Sequence, residues 1–195
     1  MTNSEPAARF TVTMIAADHL KAFRDIDRSE RIEGFYRLVD GELVSDDVIH
    51  ETNGWPPEEY DTYIARSREV LGRGGVAFGV LDGSRLAGFA LIDPQGVASD
   101  STLTQFDLFF VSARYRNLGL GRRLMDEVVA DASSRGARGI YISATPSRNT
   151  VDRYLHFGAK VTTKPDPVLF ELEPEDIHLV LMVDDYRPSR QTHPR

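Results

Sequence analysis

The sequence predicts a single α/β domain, and three observations carry that prediction. Strand-like runs rich in aromatic and branched residues alternate with helix-like runs bearing an apolar stripe. Two strand-like stretches fold back on themselves at turn signals, Asp40-Gly41 and Asp82-Gly83-Ser84. The chain has 195 residues, enough for one sizeable core and short of what two domains usually need.

The elements follow in order. Residues 9–15 read as a first strand, with Phe10, Val12 and Met14 alternating against polar partners. Asp18 is placed to cap a helix running to about Ile26. Residues 35–39 and 42–45 flank Asp40-Gly41 as a hairpin. Pro57 opens a helix that continues to Leu71 and closes at Gly72. Residues 76–81 and 85–92 form a second hairpin, and 106–111 a further strand. In 121–135, Leu124, Val128 and Ala132 recur every four residues with Met125 and Val129 beside them, one apolar helical stripe. A strand over 139–145, a short helix over 150–156 and a last strand over 177–183 complete the domain, 9–184. Residues 1–8 and 185–195 read as loose tails.

The most informative stretch is Arg116-Asn117-Leu118-Gly119-Leu120-Gly121, between the strand Phe106-Asp107-Leu108-Phe109-Phe110-Val111 and the 121–135 helix. Two glycines at such a junction let the backbone turn sharply and leave its amides uncovered. The first-turn N–H groups then point outward at the positive end of the helix dipole, which makes an anion site suited to phosphate. A P-loop would need Lys then Ser or Thr after the second glycine, where Arg122 and Arg123 stand; a dinucleotide fingerprint would need a third glycine.

Arg-x-x-Gly-x-Gly after Val111-Ser112-Ala113-Arg114-Tyr115 resembles the acetyl-CoA pyrophosphate loop of the GCN5-related N-acetyltransferase (GNAT) family. A second signature lies downstream: the strand Ile140-Tyr141-Ile142-Ser143-Ala144-Thr145, then Asn149, then Tyr154 four residues before Gly158. The resemblance runs over about residues 10–183, most sharply over 105–159; Asn149 sits closer to the Tyr than in the commonest pattern. It implies a GNAT fold: a mixed, largely antiparallel twisted sheet flanked by helices and splayed between its fourth and fifth strands. It implies acetyl-CoA as cosubstrate with no metal, bound by Arg116, Asn117, Leu118, Gly119, Leu120, Gly121 and Arg122, with Asn149 assisting. By the same resemblance, Phe109, Phe110 and Val111 hold the pantetheine arm through their backbone, like an added strand. A homodimer is compatible with this fold.

Composition narrows the rest. There is no cysteine, which excludes disulfides, thiolate metal sites and a cysteine nucleophile. No apolar run approaches a membrane span, no secretory signal is visible in the first 20 residues, and a cytoplasmic enzyme is expected. A net charge of −7 argues against broad nucleic-acid binding. The five histidines show no metal-ligand spacing, and no Gly-x-Ser-x-Gly elbow supports a hydrolase. Charge is uneven: 45–61 holds six acids and no Lys or Arg, whereas 113–138 holds six arginines against three acids. The basic end suits a polyanion, met by Arg114, Arg116, Arg122 and Arg123, although Arg122 and Arg123 cannot both face it comfortably. The acidic end suits a cationic amine or is simply a solvated surface.

Amide formation requires that an ammonium lose a proton before attack on a thioester, that the carbonyl oxygen be met by a donor, and that the thiolate leave. Tyr154, matching the family's usual position, is the expected proton donor to the thiolate; the competing reading makes it a half-buried helix aromatic whose hydroxyl only hydrogen-bonds the sulfur. Asp107 is the first candidate base, on a strand where the family often carries an acid; by alternation it shares a face with Phe109 and Val111. The competing reading makes Asp107 a structural partner of an arginine. The acceptor pocket is expected within 27–62, among 27–33, the Asp40-Gly41 hairpin and the acidic segment. There Trp55 is a wall or a packing residue under a Pro-Pro loop, and Glu30, Glu33 or Glu51 an ammonium partner. The expected activity is acetyl transfer to a primary amine of a small molecule. The alternatives are transfer to a protein amine, or a CoA-binding regulatory domain with little catalysis.

Overall fold

The computed structural model describes residues 9–56 and 59–189. Strand β1 (Phe10–Met14) is followed by a 3-10 helix (Ala17–Asp25) and four short strands: β2 (Glu30–Ile32), β3 (Tyr36–Val39), β4 (Glu42–Ser45) and β5 (His50–Thr52). Helix α1 (Glu59–Gly72) leads into β6 (Val76–Asp82), β7 (Arg85–Asp93) and β8 (Leu103–Val111). Then come α2 (Leu120–Ser134), β9 (Gly139–Ala144), α3 (Arg148–His156), β10 (Lys160–Val161), α4 (Pro167–Leu172) and β11 (Ile177–Met182). The main sheet has the order β1-β6-β7-β8-β9-β11-β10. Its pairings are antiparallel except that of β8 with β9. This is the mixed, mostly antiparallel α/β architecture that the sequence predicts.

The fourth and fifth strands of that sheet, β8 and β9, pair only from Leu103↔Gly139 to Phe106↔Ile142. Beyond Phe106, β8 keeps β7 on one edge and has no strand on the other. The β7–β8 ladder also slips here: Leu91 faces Leu108 and Ile92 faces Phe106, so Asp107 is an extra, bulged residue. The bulge corrects the alternation expected from sequence. Phe106, Phe109 and Val111 pack with α2 and α3, whereas Leu108 and Phe110 join the opposite core. Asp107 turns to α1, away from the face of Phe109 and Val111.

The two faces of the sheet bury different partners. Helix α2 inserts the predicted stripe, Leu124, Met125, Val128, Val129 and Ala132, together with Leu120 into one core. The 3-10 helix and α1 cover the other through Leu20, Phe23, Ile64 and Val70. Local chemistry sets the boundaries. Asp40 and Gly41 both have positive φ (52° and 86°), the twist a two-residue hairpin needs. Ser147 caps α3 by accepting from the Thr150 N–H. Asp166 caps α4 by accepting from the Val168 and Leu169 N–H groups, with Pro167 at the first position.

Some expectations need correction. The helix expected from Asp18 is a 3-10 helix from Ala17 with no side-chain cap. The expected tail from residue 185 is anchored at its start: Tyr186 is buried and donates to Asp126 at 2.7 Å, and the Ser189 N–H reaches the same carboxylate. Arg122 closes this strap over α2 by donating to the Arg187 carbonyl at 2.9 Å. Residues 1–8 and 190–195, and the helix opening at Pro57, lie outside the described residues. The strands β2, β5 and β10 and helix α4 were not expected, being too short for a periodic signal.

Leu124 is fully buried between α2 and the sheet. Leu124→Ala is expected to cost about 2–5 kcal/mol of stability, measurable as a lower urea midpoint at unchanged slope.

Candidate active site

The parting of β8 from β9 opens a cleft of about 1070 Å³, lined from β8, the 116–122 loop, the end of β9, α3 and the turn before β11. Its first wall is the loop. Asn117 and Gly119 hold left-handed φ of 63° and 76°, which turns the chain from the sheet into α2. Gly119 is the N-cap and has no side chain to satisfy the helix's first amides. Among the described residues, the first amide beyond the turn that bonds the backbone is Arg123, to the Gly119 carbonyl; none from Asn117 to Arg122 is taken up by the loop. These N–H groups lie at the positive end of α2, whose first turn carries no acid. A Cβ on Gly121 would lie 3.3 Å from the Phe109 ring, so glycine there lets the helix start close against β8.

The arginines of the loop divide their duties. Arg122 lines the cleft and lies over the Phe157 and Tyr186 rings. Arg123 turns away to donate to the Phe10 carbonyl. Arg116 lines the cleft but donates to the Val111 and Ser29 carbonyls, fastening the loop to β8 and to the chain before β2. Arg114 stacks on Tyr115 and, with Leu118, borders a separate hollow of about 370 Å³. Asn149 lines the cleft as well, with its amide donating to Glu30 (3.0 Å) and to the Arg31 carbonyl (3.3 Å), which ties α3 to β2.

Tyr154 and Asp107 both reach the cleft, in contrasting states. Tyr154 is 6% exposed, its ring about 6 Å from those of Phe106 and Phe109. Among the described residues nothing hydrogen-bonds its hydroxyl, and burial pushes the phenol well above its ordinary range. It therefore stays protonated at neutral pH. Asp107, with a side chain 2% exposed, is gripped by Arg66 of α1 through three contacts of 2.5–3.0 Å. Burial pushes its carboxyl above the usual range, with the Arg66 charge and hydrogen bonds opposing. This is the geometry of an aspartate paired with an arginine.

The acceptor half differs from the sequence expectation. Of the residues proposed there, Glu30 lines the cleft together with Arg28, Arg31 and Ile32; Glu33, Glu51, Trp55 and the β3–β4 hairpin do not. Trp55 is a packing residue. Its indole N–H donates to the Ile26 carbonyl and its ring lies against Phe23, Tyr63 and Phe110, with Arg28 held over its face. Three acids of the acidic segment pair with arginines from other elements: Asp47 with Arg148, Glu51 with Arg31 and Glu59 with Arg28. Besides Glu30 and Asp107, the carboxyls that line the cleft are Asp152, which accepts from the Tyr36 hydroxyl, and Glu173 and Asp176, all three missed by sequence reasoning. Only the place of Glu173 and Asp176 before the last strand, beside the end of β9, signals those two.

The family profile of the acetyltransferase (GNAT) family matches residues 32–159. The chain belongs to the GNAT family. It is thus an acetyl-CoA-dependent N-acetyltransferase, an acyltransferase. No curated protein sequence matches it. Among solved structures, this GNAT chain shares its fold with nourseothricin acetyltransferase at 17% identity and a TM-score of 0.64, over 88% of this chain and 96% of that one. It also shares it with the ribosomal-protein-S18-alanine N-acetyltransferase from Escherichia coli (14%, 0.57, 95% and 99%). A third is an aminoglycoside 6'-N-acetyltransferase complexed with coenzyme A (20%, 0.52, 68% and 86%). The open amides and the unpaired β8 edge fit a phosphate-bearing, amide-bearing cosubstrate such as acetyl-CoA.

Removing Arg66 leaves the buried Asp107 carboxylate without its counter-charge. Arg66→Ala is expected to destabilise by about 2 kcal/mol, less than a fully buried pair because Arg66 is 37% exposed. In urea titrations, Asp107→Asn placed on that background should recover part of the loss.

Proposed function

We propose that this GNAT enzyme transfers the acetyl group of acetyl-CoA directly to a primary amine on a small cationic molecule. The observation that carries this reading is the polarity of the cleft. Unpaired amides and Arg122 stand at one end, and the carboxyls of Glu173 and Asp176 reach the same space as the Tyr154 phenol. A polyanion is drawn to the amides and Arg122, and an ammonium to the Glu173 and Asp176 carboxyls, of which the Arg66 charge reaches Glu173 from α1. The volume, about 1070 Å³, suits a small acceptor beside the pantetheine arm better than a folded protein surface.

In this reading the amides of Asn117 to Arg122 receive the pyrophosphate, with the Arg122 guanidinium beside them. The edge of β8 that β9 leaves over Phe109, Phe110 and Val111, with the Val111 carbonyl taken by Arg116, offers backbone groups to the pantetheine amides, as an added strand would. Asn149 holds α3 to β2 with its amide donors, and Arg116 anchors the loop through Nε and Nη1. Tyr154, protonated and without a partner, gives its proton to the sulfur as the C–S bond breaks. Asp107 fixes α1 to the bulge through Arg66, so the task of deprotonating the amine falls elsewhere. The transfer needs proton movements and no metal; a cytoplasmic setting belongs to the same reading.

The test is calorimetric titration with acetyl-CoA, followed by a free-thiol assay across amines and a lysine-bearing peptide. The chain has no cysteine, so every thiol signal comes from released CoA. Small-amine-dependent release is expected; release with the peptide alone would favour a protein acceptor, and binding without release a regulatory role. Tyr154→Phe should lower kcat by about 10- to 100-fold while leaving acetyl-CoA affinity within about twofold. Gly119→Asp, which puts a side chain on a φ of 76° and a negative charge at the anion site, should weaken binding by more than about tenfold. An unchanged Tyr154→Phe turnover would remove the proton-donor role.

A further inference from the structure

We propose that Asp176, paired with Glu173, is the base that takes the proton from the acceptor ammonium. The inference rests on the transfer reading above and assigns the step that Asp107 cannot perform while Arg66 holds it. The topology explains its place. Strand β11 begins beside the end of β9, with Ile177 opposite Ala144 and His178 opposite Ser143. Asp176 therefore sits at the end of the sheet where β9 has left β8, half-buried on the cleft wall. Ser143 of β9 donates its hydroxyl to the Asp176 carboxylate at 3.2 Å. The Asp176 N–H bonds the Glu173 carbonyl at 3.1 Å, which folds the two acids into one turn.

An acidic pair alone would be a solvated surface. Here an independent feature points to a ligand: Tyr154, more than nine-tenths buried, aims an unpartnered hydroxyl into the same cleft, and the Asp176 charge reaches that phenol. Among the described residues neither acid is in a salt bridge, although the Arg66 charge reaches Glu173. The pair thus offers an ammonium what Asp107 has already spent on Arg66.

The groups facing Asp176 are Glu173 and Glu175 of its own turn, Ser143 of β9 and Tyr154 of α3. Through Glu173 they extend to His178 of β11 and to Tyr63 and Arg66 of α1. Burial, then the Glu173 charge, raises the Asp176 carboxyl to about 7, against the Ser143 hydrogen bond. A base so placed is ionised near neutral pH and strong enough to share an ammonium proton. The step balances. One N–H proton of the ammonium passes to Asp176, and the freed lone pair forms the C–N bond to the thioester carbon. The C–S bond then breaks, the sulfur takes the Tyr154 proton, and the nitrogen's second proton returns to the Tyr154 oxygen. Asp176 finally releases its proton to water.

The experiment measures kcat/KM against pH with spermidine, lysine and kanamycin as probes, alongside acetyl-CoA binding for every variant. In the wild type the rate should rise as Asp176 ionises through about pH 7. Asp176→Asn should lose that limb and about 100-fold or more of kcat with acetyl-CoA affinity kept, and Asp176→Glu should restore part of both. Glu173→Gln removes a neighbouring negative charge and should move the limb to lower pH. Ser143→Ala removes a hydrogen bond to the ionised form and should move it higher. A wild type that turns over while Asp176→Asn keeps its rate and its limb overturns the base and leaves the transfer reading standing. A wild type that binds acetyl-CoA and releases no thiol with any amine overturns the transfer reading, and the base with it.

Discussion

Two neighbouring parallel strands that stop pairing after four residues leave a row of backbone donors and acceptors without partners. Such groups are costly inside a protein unless something else satisfies them. The β8–β9 separation is held open by side chains that cannot collapse into it. Phe106, Phe109 and Tyr154 fill the fork with rings, and the bulge at Asp107 diverts the next side chain to the other face. Arg66 then locks that diversion by gripping the bulged carboxylate from α1. The cleft, its exposed strand edge and its access to the end of β9 all derive from this one interruption of the sheet.

Around the fork, charge is sorted by how the backbone ends. A helix beginning at a glycine, without a capping side chain, presents N–H groups; a short turn before β11 presents carboxyls. The sorting owes little to the number of charges in each stretch of chain. Arg116, Arg122 and Arg123 are spent on carbonyls of their own fold, and Asp47, Glu51 and Glu59 on arginines. The cleft is lined both by groups so held and by open amides.

Periodic and locally signalled features were legible in the sequence. The α2 stripe, the Asp40-Gly41 and Asp82-to-Arg85 turns, the glycine loop and the parting of the fourth and fifth strands match the structure. Each depends on neighbours in sequence or on a motif that carries its context with it. What was not legible depends on a third element. Asp107 breaks simple alternation because a ladder to β7 slips, and its arginine comes from 41 residues away. Trp55 packs because Phe23 and Phe110 converge on it. Glu173 and Asp176 reach the cleft because an unforeseen six-residue helix returns the chain to the end of β9. No spacing rule encodes those meetings.

The strap formed by Tyr186, Arg187 and Ser189 lies on the helix whose first amides are left open at the cleft. Arg122 belongs to both: its backbone to the loop, its guanidinium to the Arg187 carbonyl. With acetyl-CoA in that loop, as proposed, its occupancy and the docking of residues 186–189 on α2 would share this one side chain. Linkage is reciprocal, so a ligand that tightens the strap is itself bound more tightly by the same factor when the strap is docked. In the proposed reading, residues 186–189, tied to the loop through Arg122, would then report on cosubstrate. Their protection from proteases should follow the occupancy of a loop some sixty residues earlier in the chain.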